Sequence, residues 1–263
     1  MDKIAISFGN ISIYWYSIMI LIGVCIAYLI ASFEVKKQKI NKDFFTNLVF
    51  YVVLFGILGA RIYYVIFNFD YYLSEPSEII KIWHGGLAIH GGIIAGTVVT
   101  FFYCKKHNVN MLKMLDIMVV GFIIAQAIGR WGNFFNQEAF GNIVTEQALI
   151  KMHLPRFIIN GMYIDGAYRQ PTFLFESIWN LIGFIILIIK RRRVNTRIGE
   201  ITGLYLIWYS FGRFIIEHYR SDSLMLGPLK VAQIISILLI VLGTIMIIKS
   251  KKKTNNLYNN ASK

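Results

Sequence analysis

The stretch Ile11–Ser32, ISIYWYSIMILIGVCIAYLIAS, carries no charged residue and is the clearest guide to the fold. An α-helix needs roughly 20 mostly apolar residues to cross a lipid bilayer, and this stretch is long enough. The residues before it, Met1–Asn10, do not form a basic segment, and no small-residue cleavage site follows it. We therefore predict a retained transmembrane helix rather than a signal peptide.

The composition of the 263-residue chain extends this prediction beyond its first helix. Hydrophobic residues make up 56% of the chain and charged residues 16%, and the mean hydropathy is +0.57. This composition excludes a disordered chain, a collagen-like repeat and a disulfide-rich secreted scaffold. It also argues against a soluble α/β enzyme, because too few polar residues remain to cover the surface. The net charge of +13 then indicates basic loops against anionic lipid rather than nucleic-acid binding.

Seven apolar stretches approach the length of a bilayer span. The predicted fold is therefore an all-α polytopic integral membrane protein with seven transmembrane helices. The predicted spans are Ile11–Ser32, Phe44–Phe67, Gly86–Tyr103, Met111–Ile128, Pro171–Ile189, Ile198–Ile216 and Leu229–Ile248.

The basic residues decide the predicted orientation. Seventeen of the 27 Lys and Arg residues fall in the first, third and fifth connections and the C-terminal tail, nine fall on the other side, and Arg61 lies within a span. Because cytoplasmic loops are enriched in Lys and Arg, we expect the N-terminus outside and the C-terminus in the cytoplasm of an inner membrane. Residues 1–248 are predicted to form one transmembrane domain with a small outer extramembrane lobe at 142–170. A basic cytoplasmic tail without a fold of its own is predicted at 249–263.

Polar side chains gather at the outer ends of the predicted helices, where such groups mark function by default. One site at the outer leaflet is the simplest interpretation. Four structural alternatives stay open: an interfacial aromatic belt, close helix packing at the glycines, a self-contained arginine–glutamate pair, and pairing of Arg61 with Glu176. The segments concerned are Tyr14–Tyr16, Arg61, 84–92 (HGGLAIHGG), 129–141, 170–176 (QPTFLFE), and Arg213, Glu217 and Arg220.

Residues 129–141, GRWGNFFNQEAFG, fit a structural role least well. They combine one cation, two amides and one carboxylate with glycines that favour turns or close approach. Arginine and asparagine at this density suit phosphate oxygens and hydroxyl groups, since a guanidinium presents a planar fork of donors. The chain contains no His-Glu-x-x-His, Gly-x-Ser-x-Gly or P-loop pattern, which argues against those metalloprotease, hydrolase and nucleotide-binding classes.

Three blocks of the sequence resemble the bacterial prolipoprotein diacylglyceryl transferase family. These blocks are HGGLAIHGG at 84–92, GRWGNFFNQEAFG at 129–141 and GRFIIEHYRSD at 212–222, and they occur in the order of the family. The Tyr-Trp-Tyr opening and Gln233 also fit. The chain departs from the family pattern at Gln170 and Phe175, where the family usually has histidine and tyrosine.

The resemblance implies an enzyme that moves the diacylglyceryl group of phosphatidylglycerol onto the lipobox cysteine of a prolipoprotein. The product is a thioether, glycerol 1-phosphate leaves, and neither a metal nor an organic cofactor is expected. The catalytic residues implied are His90, Arg130, Arg213 and Tyr16. The substrate-binding residues predicted are Asn133, Asn136, Glu138, Gly141, Glu217, Arg220, Arg61, Glu176, Gly91 and Gly92.

Two other classes of function stay open. One is a transporter or lipid-binding membrane protein that holds an anionic head group without chemistry. It is less favoured, since transporters tend to contain internal repeats with broken helices, and this sequence has neither. The other is an intramembrane hydrolase that uses His90 with Glu138.

Overall fold

The computed structural model describes residues 3–8, 11–252 and 256–259. The chain forms two compact units. The larger unit contains residues 1–33 and 115–263, and the smaller unit contains residues 34–114.

Helices dominate both units, and the described residues contain ten α-helices. They are α1 (Trp15–Lys37), α2 (Lys42–Phe67), α3 (Phe69–Ser74), α4 (Ile89–Lys106), α5 (Met111–Asn136), α6 (Glu146–Lys151), α7 (Arg156–Gly161), α8 (Thr172–Arg192), α9 (Glu200–Tyr219) and α10 (Val231–Lys252).

The strands are short and all pair antiparallel. Strands β1 and β2 form an N-terminal hairpin, β3, β5 and β4 form a three-stranded sheet in that order, and β6 and β7 form a second hairpin. Their bounds are β1 (Ile4–Phe8), β2 (Ile11–Tyr14), β3 (Ile143–Val144), β4 (Tyr163–Ile164), β5 (Ala167–Arg169), β6 (Met225–Leu226) and β7 (Leu229–Lys230).

Five of these helices, α1, α2, α5, α8 and α10, are long and apolar enough to cross a membrane. The all-helical class of an integral membrane protein is thereby confirmed, while the count of seven spans and the orientation of the termini stay predictions. The third and sixth predicted spans correspond to α4 and α9. Helix α4 is only 18 residues long and includes its two terminal lysines in that length, and α9 carries Glu200, Arg213 and Glu217, so neither contains an 18-residue stretch as apolar as those of the other five.

The first and fourth predicted spans differ most from the observed helices. Helix α1 begins only at Trp15, because the preceding residues form β2. Helix α5 does not end at Ile128 but continues to Asn136, so Gly132 lies inside a helix rather than in a turn. A Cβ on Gly132 would lie 2.8 Å from Cδ2 of Tyr16, so the glycine admits the tyrosine ring.

Residues 143–169 form a lobe of two short helices and the three-stranded sheet, in the region where the sequence predicted an outer lobe. Its apolar side chains pack with Phe134 of α5 and Phe173 of α8. The buried members of this core from the lobe are Leu149, Ile158, Ile159, Met162 and Ile164.

Two sets of contacts hold α9 in place within the larger unit. The Asp116 carboxylate, fully buried on α5, accepts hydrogen bonds from Gly199 N (2.6 Å), Thr202 N (2.7 Å) and Thr202 Oγ1 (2.6 Å) at the start of α9. Further along, Trp179 of α8 and Trp208 of α9 stack at 4.4 Å between ring centroids. Each indole N–H donates to the main-chain carbonyl of the other tryptophan, at 2.9 and 3.0 Å. These contacts set the register of α9 against α8.

The smaller unit is built on close packing of α2 against α4. A Cβ on Gly59 would lie 2.8 Å from the carbonyl oxygen of Gly91, and a Cβ on Gly91 would overlap the carbonyl of Gly59. Small residues let helix backbones approach in this way inside membranes.

The structure describes two parts of the predicted C-terminal tail, residues 249–252 and 256–259. Lys249–Lys252 extend α10, and Asn256–Asn259 pack on the connection between α8 and α9. Tyr258 is fully buried, and its N–H donates to Thr196 O at 2.8 Å, while Ile198 N donates to Asn256 O at 3.0 Å. Main-chain pairing is not visible in composition, which is why this polar segment looked solvated.

Candidate functional site

Six side chains of the larger unit form one continuous series of hydrogen bonds and ion pairs, which we call the arginine–carboxylate chain. In order, its members are Glu138, Asn133, Arg130, Glu176, Arg213 and Glu217.

The first half of the arginine–carboxylate chain lies on the last turns of α5 and just beyond its end. Asn133 Nδ2 donates to Glu138 Oε1 at 2.8 Å, and Arg130 Nη1 donates to Asn133 Oδ1 at 3.0 Å. Arg130 and Asn133 are three residues apart in one helix, so they share a face. Arg130 Nη2 then reaches Glu176 Oε2 of α8 at 2.7 Å. The unpredicted extension of α5 therefore creates this half of the site.

The second half joins α8 to α9. Arg213 Nη1 lies 2.9 Å from Glu176 Oε1, and Arg213 Nη2 lies 2.8 Å from Glu217 Oε2. Glu176 thus receives one arginine on each carboxylate oxygen. The contacts use two of the five N–H groups that each guanidinium offers.

A third arginine borders the chain and has its own carboxylate. Arg220 makes two hydrogen bonds of 3.0 Å to the two carboxylate oxygens of Asp222, and it lies 4.0 Å from Glu176 Oε1. Asp222 therefore compensates the charge of this arginine, which lies just beyond the end of α9.

Burial differs between the two kinds of charge. The side chains of Glu176 and Glu217 are 4% and 2% exposed, whereas those of Arg130 and Arg213 are 19% and 17% exposed. The carboxylates of Glu176 and Glu217 therefore lie behind the guanidinium groups, and the partly exposed Arg130 and Arg213 form a face beside the exposed carboxylate of Glu138. Such a face can bind an oxyanion through the remaining N–H donors.

Three other predicted site residues of the larger unit, Tyr16, Gly141 and Asn136, lie outside the arginine–carboxylate chain. Tyr16 packs against Gly132, as described above. Gly141 donates its N–H to Gln170 O at 3.0 Å and pairs through its backbone with Arg220, and a Cβ there would lie 2.7 Å from Cβ of Gln170. Asn136 Oδ1 is buried and has no hydrogen-bond partner among the described residues.

The remaining predicted residues belong to the smaller unit. His90 is exposed in the first turn of α4, with its ring centroid 6.2 Å from that of Tyr63. Gly91 and Gly92 face the backbone of α2, as the helix-packing alternative proposed. Arg61 binds main-chain carbonyl oxygens of its own unit.

A second histidine of the smaller unit is held by a carboxylate. His84 Nδ1 lies 2.7 Å from Glu78 Oε2, and Lys81 Nζ lies 2.7 Å from the other oxygen of Glu78. Hydrogen bonds from Lys81 and from His84 hold the pKa of Glu78 below its usual range.

Sequence reasoning missed Lys230, which lies in β7. Its ammonium group donates to the carbonyl oxygens of Glu217 (2.6 Å), Arg220 (2.9 Å) and His218 (3.1 Å). The last carbonyls of a helix lack partners within the helix, and a cation there is favourable. Lys230 thus fixes the end of α9 that carries Glu217 and Arg220. A lysine next to a turn of Leu-Gly-Pro gives no sequence signal of this contact.

We expect Lys230→Met to weaken the end of α9. The substitution leaves three carbonyl groups without their donor, which we expect to lower the free energy of unfolding by about 1–3 kcal/mol. Thermal unfolding in detergent measures this change, with Lys151→Met at an exposed site of the lobe as the matched control. Equal unfolding midpoints for the two variants would contradict this role of Lys230.

Apolar helices that enclose a buried, charge-paired polar cluster are typical of a polytopic membrane protein with a functional polar site. Comparison with known proteins makes the class specific. The family model described as "Prolipoprotein diacylglyceryl transferase" matches residues 3–249. The chain belongs to this family and is therefore a multi-pass bacterial membrane enzyme.

Curated relatives cover almost the whole chain. A phosphatidylglycerol–prolipoprotein diacylglyceryl transferase of Listeria innocua is 49% identical over 98% of this chain and 93% of its own length. The proteins of the same name from Staphylococcus carnosus and Bacillus cereus are 48% and 50% identical. Each of these alignments covers 96% of this chain, and 92% and 93% of the respective relative.

Proposed function

We propose that the protein transfers the diacylglyceryl group of phosphatidylglycerol to the lipobox cysteine thiol of a prolipoprotein. The cysteine sulfur forms a bond to the glycerol carbon, and the bond from that carbon to the phosphate oxygen breaks. The thiol proton passes to a base, and glycerol 1-phosphate leaves with the bonding electron pair. The observation that carries this proposal is the pair of partly exposed guanidinium groups, Arg130 and Arg213, fixed on the buried Glu176 in a chain whose relatives bear this name.

We assign the phosphate to Arg130 and Arg213, with Arg220 and Asn133 in support. Negative charge develops on the phosphate as the carbon–oxygen bond breaks, and fixed cations in a water-poor site stabilise it strongly. Glu176 holds Arg130 and Arg213 in place from behind, so no reorganisation of the two guanidinium groups is needed during the reaction. Glu217 does the same for Arg213.

The base in this proposal is His90. A free thiol has a pKa near 8.5 and a neutral imidazole one near 6.5, so proton transfer between them is uphill by about 2.7 kcal/mol. A cation beside the thiol lowers this cost by favouring the thiolate.

Three further residues orient the substrate in this proposal. Tyr16 orients the lipid through its hydroxyl group. Glu138, which is linked to Asn133, and Asn136, whose Oδ1 is unpaired, orient the glycerol head group.

The membrane arrangement belongs to the same proposal. Seven spans with the N-terminus outside put the arginine–carboxylate chain toward the outer leaflet of the bacterial cytoplasmic membrane, which the excess of Lys and Arg in alternate connections supports. Both substrates begin in the bilayer, since one is a lipid and the other carries a signal peptide. They therefore enter sideways between helices.

One assay tests the reaction against binding alone and against hydrolysis. The purified protein is placed in vesicles whose phosphatidylglycerol is labelled in the terminal glycerol, and a lipobox peptide is added. We expect labelled glycerol phosphate and a thioether-linked peptide only when the peptide contains cysteine. Release without the peptide would indicate a hydrolase, and no release at all would indicate a lipid-binding protein or transporter.

The same assay tests the base. We expect His90→Ala to lower kcat by about 10²–10⁴-fold, the usual contribution of general acid–base catalysis. His153→Asn in the lobe is the matched control, because asparagine tolerates the positive φ of 54° at that position. Wild-type turnover in His90→Ala would remove His90 from the mechanism.

A further inference from the structure

Arg61 of α2 is bound almost completely by main-chain carbonyl oxygens. Its Nε donates to Ile79 O at 2.9 Å, its Nη1 donates to Gly85 O at 2.7 Å and Gly86 O at 2.9 Å, and its Nη2 donates to Glu78 O. Four of the five N–H groups of the guanidinium are used in this way. The side chain is 6% exposed, and its guanidinium lies 5.1 Å from the ring centroid of Tyr72.

The segment that Arg61 binds connects α3 to α4 and contains little regular structure. It forms two 3₁₀ turns, Pro76–Ile80 and Ile82–His84, followed by an extended stretch. Some of its carbonyl groups accept main-chain bonds within the two turns, whereas those of Ile79, Gly85 and Gly86 have the guanidinium of Arg61 as their donor, and a buried carbonyl without a donor is costly. The guanidinium binds carbonyl oxygens that lie before and after the second 3₁₀ turn, and so it holds the two ends of the segment together.

Gly86 shows that the segment is fitted to this guanidinium. It has φ of 76°, a region that favours glycine, and a Cβ on it would overlap Nη1 of Arg61. The arginine and the glycine of the HGGLAIHGG block therefore occupy the same space. Position 86 requires a glycine because any side chain there would clash with the guanidinium of Arg61.

The segment leads directly into the first turn of α4. Ala88 N donates to Ala60 O at 3.1 Å, so α4 begins beside the residue that precedes Arg61. His90 follows two residues later. The position of the His90 ring thus depends on the segment that Arg61 holds.

We infer that Arg61 is a positioning residue that fixes residues 78–88 and, through them, His90, and that it is not a ligand of the lipid phosphate. The N–H groups that bind four carbonyl oxygens are not free for a phosphate. This inference rests on the proposed role of His90 as the base. A lysine at position 61 keeps the charge but presents three donors on one nitrogen, which cannot span carbonyls on both sides of a turn.

The test compares Arg61→Lys with Arg156→Lys, the same change at an arginine whose side chain is 72% exposed. In the vesicle assay we expect Arg61→Lys to lower kcat by about a hundredfold, as a misplaced catalytic group does, and to leave KM for phosphatidylglycerol within about twofold. Hydrogen exchange of the amides of residues 84–90 is expected to rise in Arg61→Lys and to stay unchanged in Arg156→Lys. Gly86→Ala keeps Arg61 but crowds it, and we expect the same signature.

Each other result overturns the inference. A raised KM with unchanged kcat would make Arg61 a lipid ligand, and unchanged exchange at 84–90 would show that it does not hold the segment. Increased exchange with wild-type kcat would show that the segment does not position the base. If Arg61→Lys does not fold, Gly86→Ala decides by the same readouts. His90→Ala is measured in parallel, so that full activity of that variant identifies a failure of the proposed base rather than of the Arg61 contact.

Discussion

Arg213→Ala is expected to lower kcat/KM by about a thousandfold, or about 4 kcal/mol of transition-state stabilisation. The change removes one of the two cations assigned to the phosphate. It also removes a partner from each of two buried carboxylates, Glu176 and Glu217, which are then left with excess negative charge close to the lipid. The lipobox-peptide assay measures the loss.

Two further variants sharpen this expectation. Arg213→Lys keeps a cation but cannot bridge both carboxylates, so we expect an intermediate loss of about tenfold. Arg156→Ala, in an exposed pair with Glu146, is the control and is expected to match the wild type. Turnover of Arg213→Ala within twofold of the wild type would show that its guanidinium does not stabilise the leaving phosphate.

Asp116→Ala is expected to cause the largest loss of stability. The fully buried carboxylate accepts three hydrogen bonds at the start of α9, and alanine leaves two main-chain N–H groups and the Thr202 hydroxyl without that partner. We expect the free energy of unfolding to fall by about 3 kcal/mol, which corresponds to roughly 6–12 °C in the unfolding midpoint. Thermal unfolding in detergent measures the change.

Asp43→Ala is the matched control, because Asp43 is an exposed aspartate near the start of α2. It is expected to change the free energy of unfolding by less than about 0.5 kcal/mol. Asp116→Asn keeps one oxygen acceptor and should fall between the two. An equal midpoint for Asp116→Ala and the wild type would mean that the start of α9 does not depend on this carboxylate.

The helices could be predicted from the sequence because a bilayer demands long apolar stretches and leaves few alternatives. The end of Lys42–Phe67 was predicted to the residue, since Asn68 follows and interrupts the apolar run. The end of α5 was not, because Gly129 and Gly132 read as turn residues in isolation. Gly132 instead makes room inside the helix for the ring of Tyr16, which comes from a distant part of the chain and which no local pattern records.

The site was predictable in its residue types and less so in its pairings. Arg130, Asn133, Glu138, Arg213 and Glu217 were all named from local patterns, and the structure brings them into one connected series through Glu176. The partners of a charged group could not be predicted in this way, because they come from other helices. The sequence alone offered Glu176 as a partner for Arg61, whereas the partners of Glu176 are Arg130, Arg213 and Arg220.

The packing of Tyr258 on the connection between α8 and α9 constrains the order of biogenesis. Residues 193–198 are synthesised before α10, yet their main-chain partners, Asn256 and Tyr258, follow α10 in the chain. During translation the helices that carry Glu176 and Arg213 are therefore complete before the main-chain partners of their connection exist. These two main-chain bonds can form only after the segment beyond α10 has been synthesised, so the connection between α8 and α9 is completed late in folding.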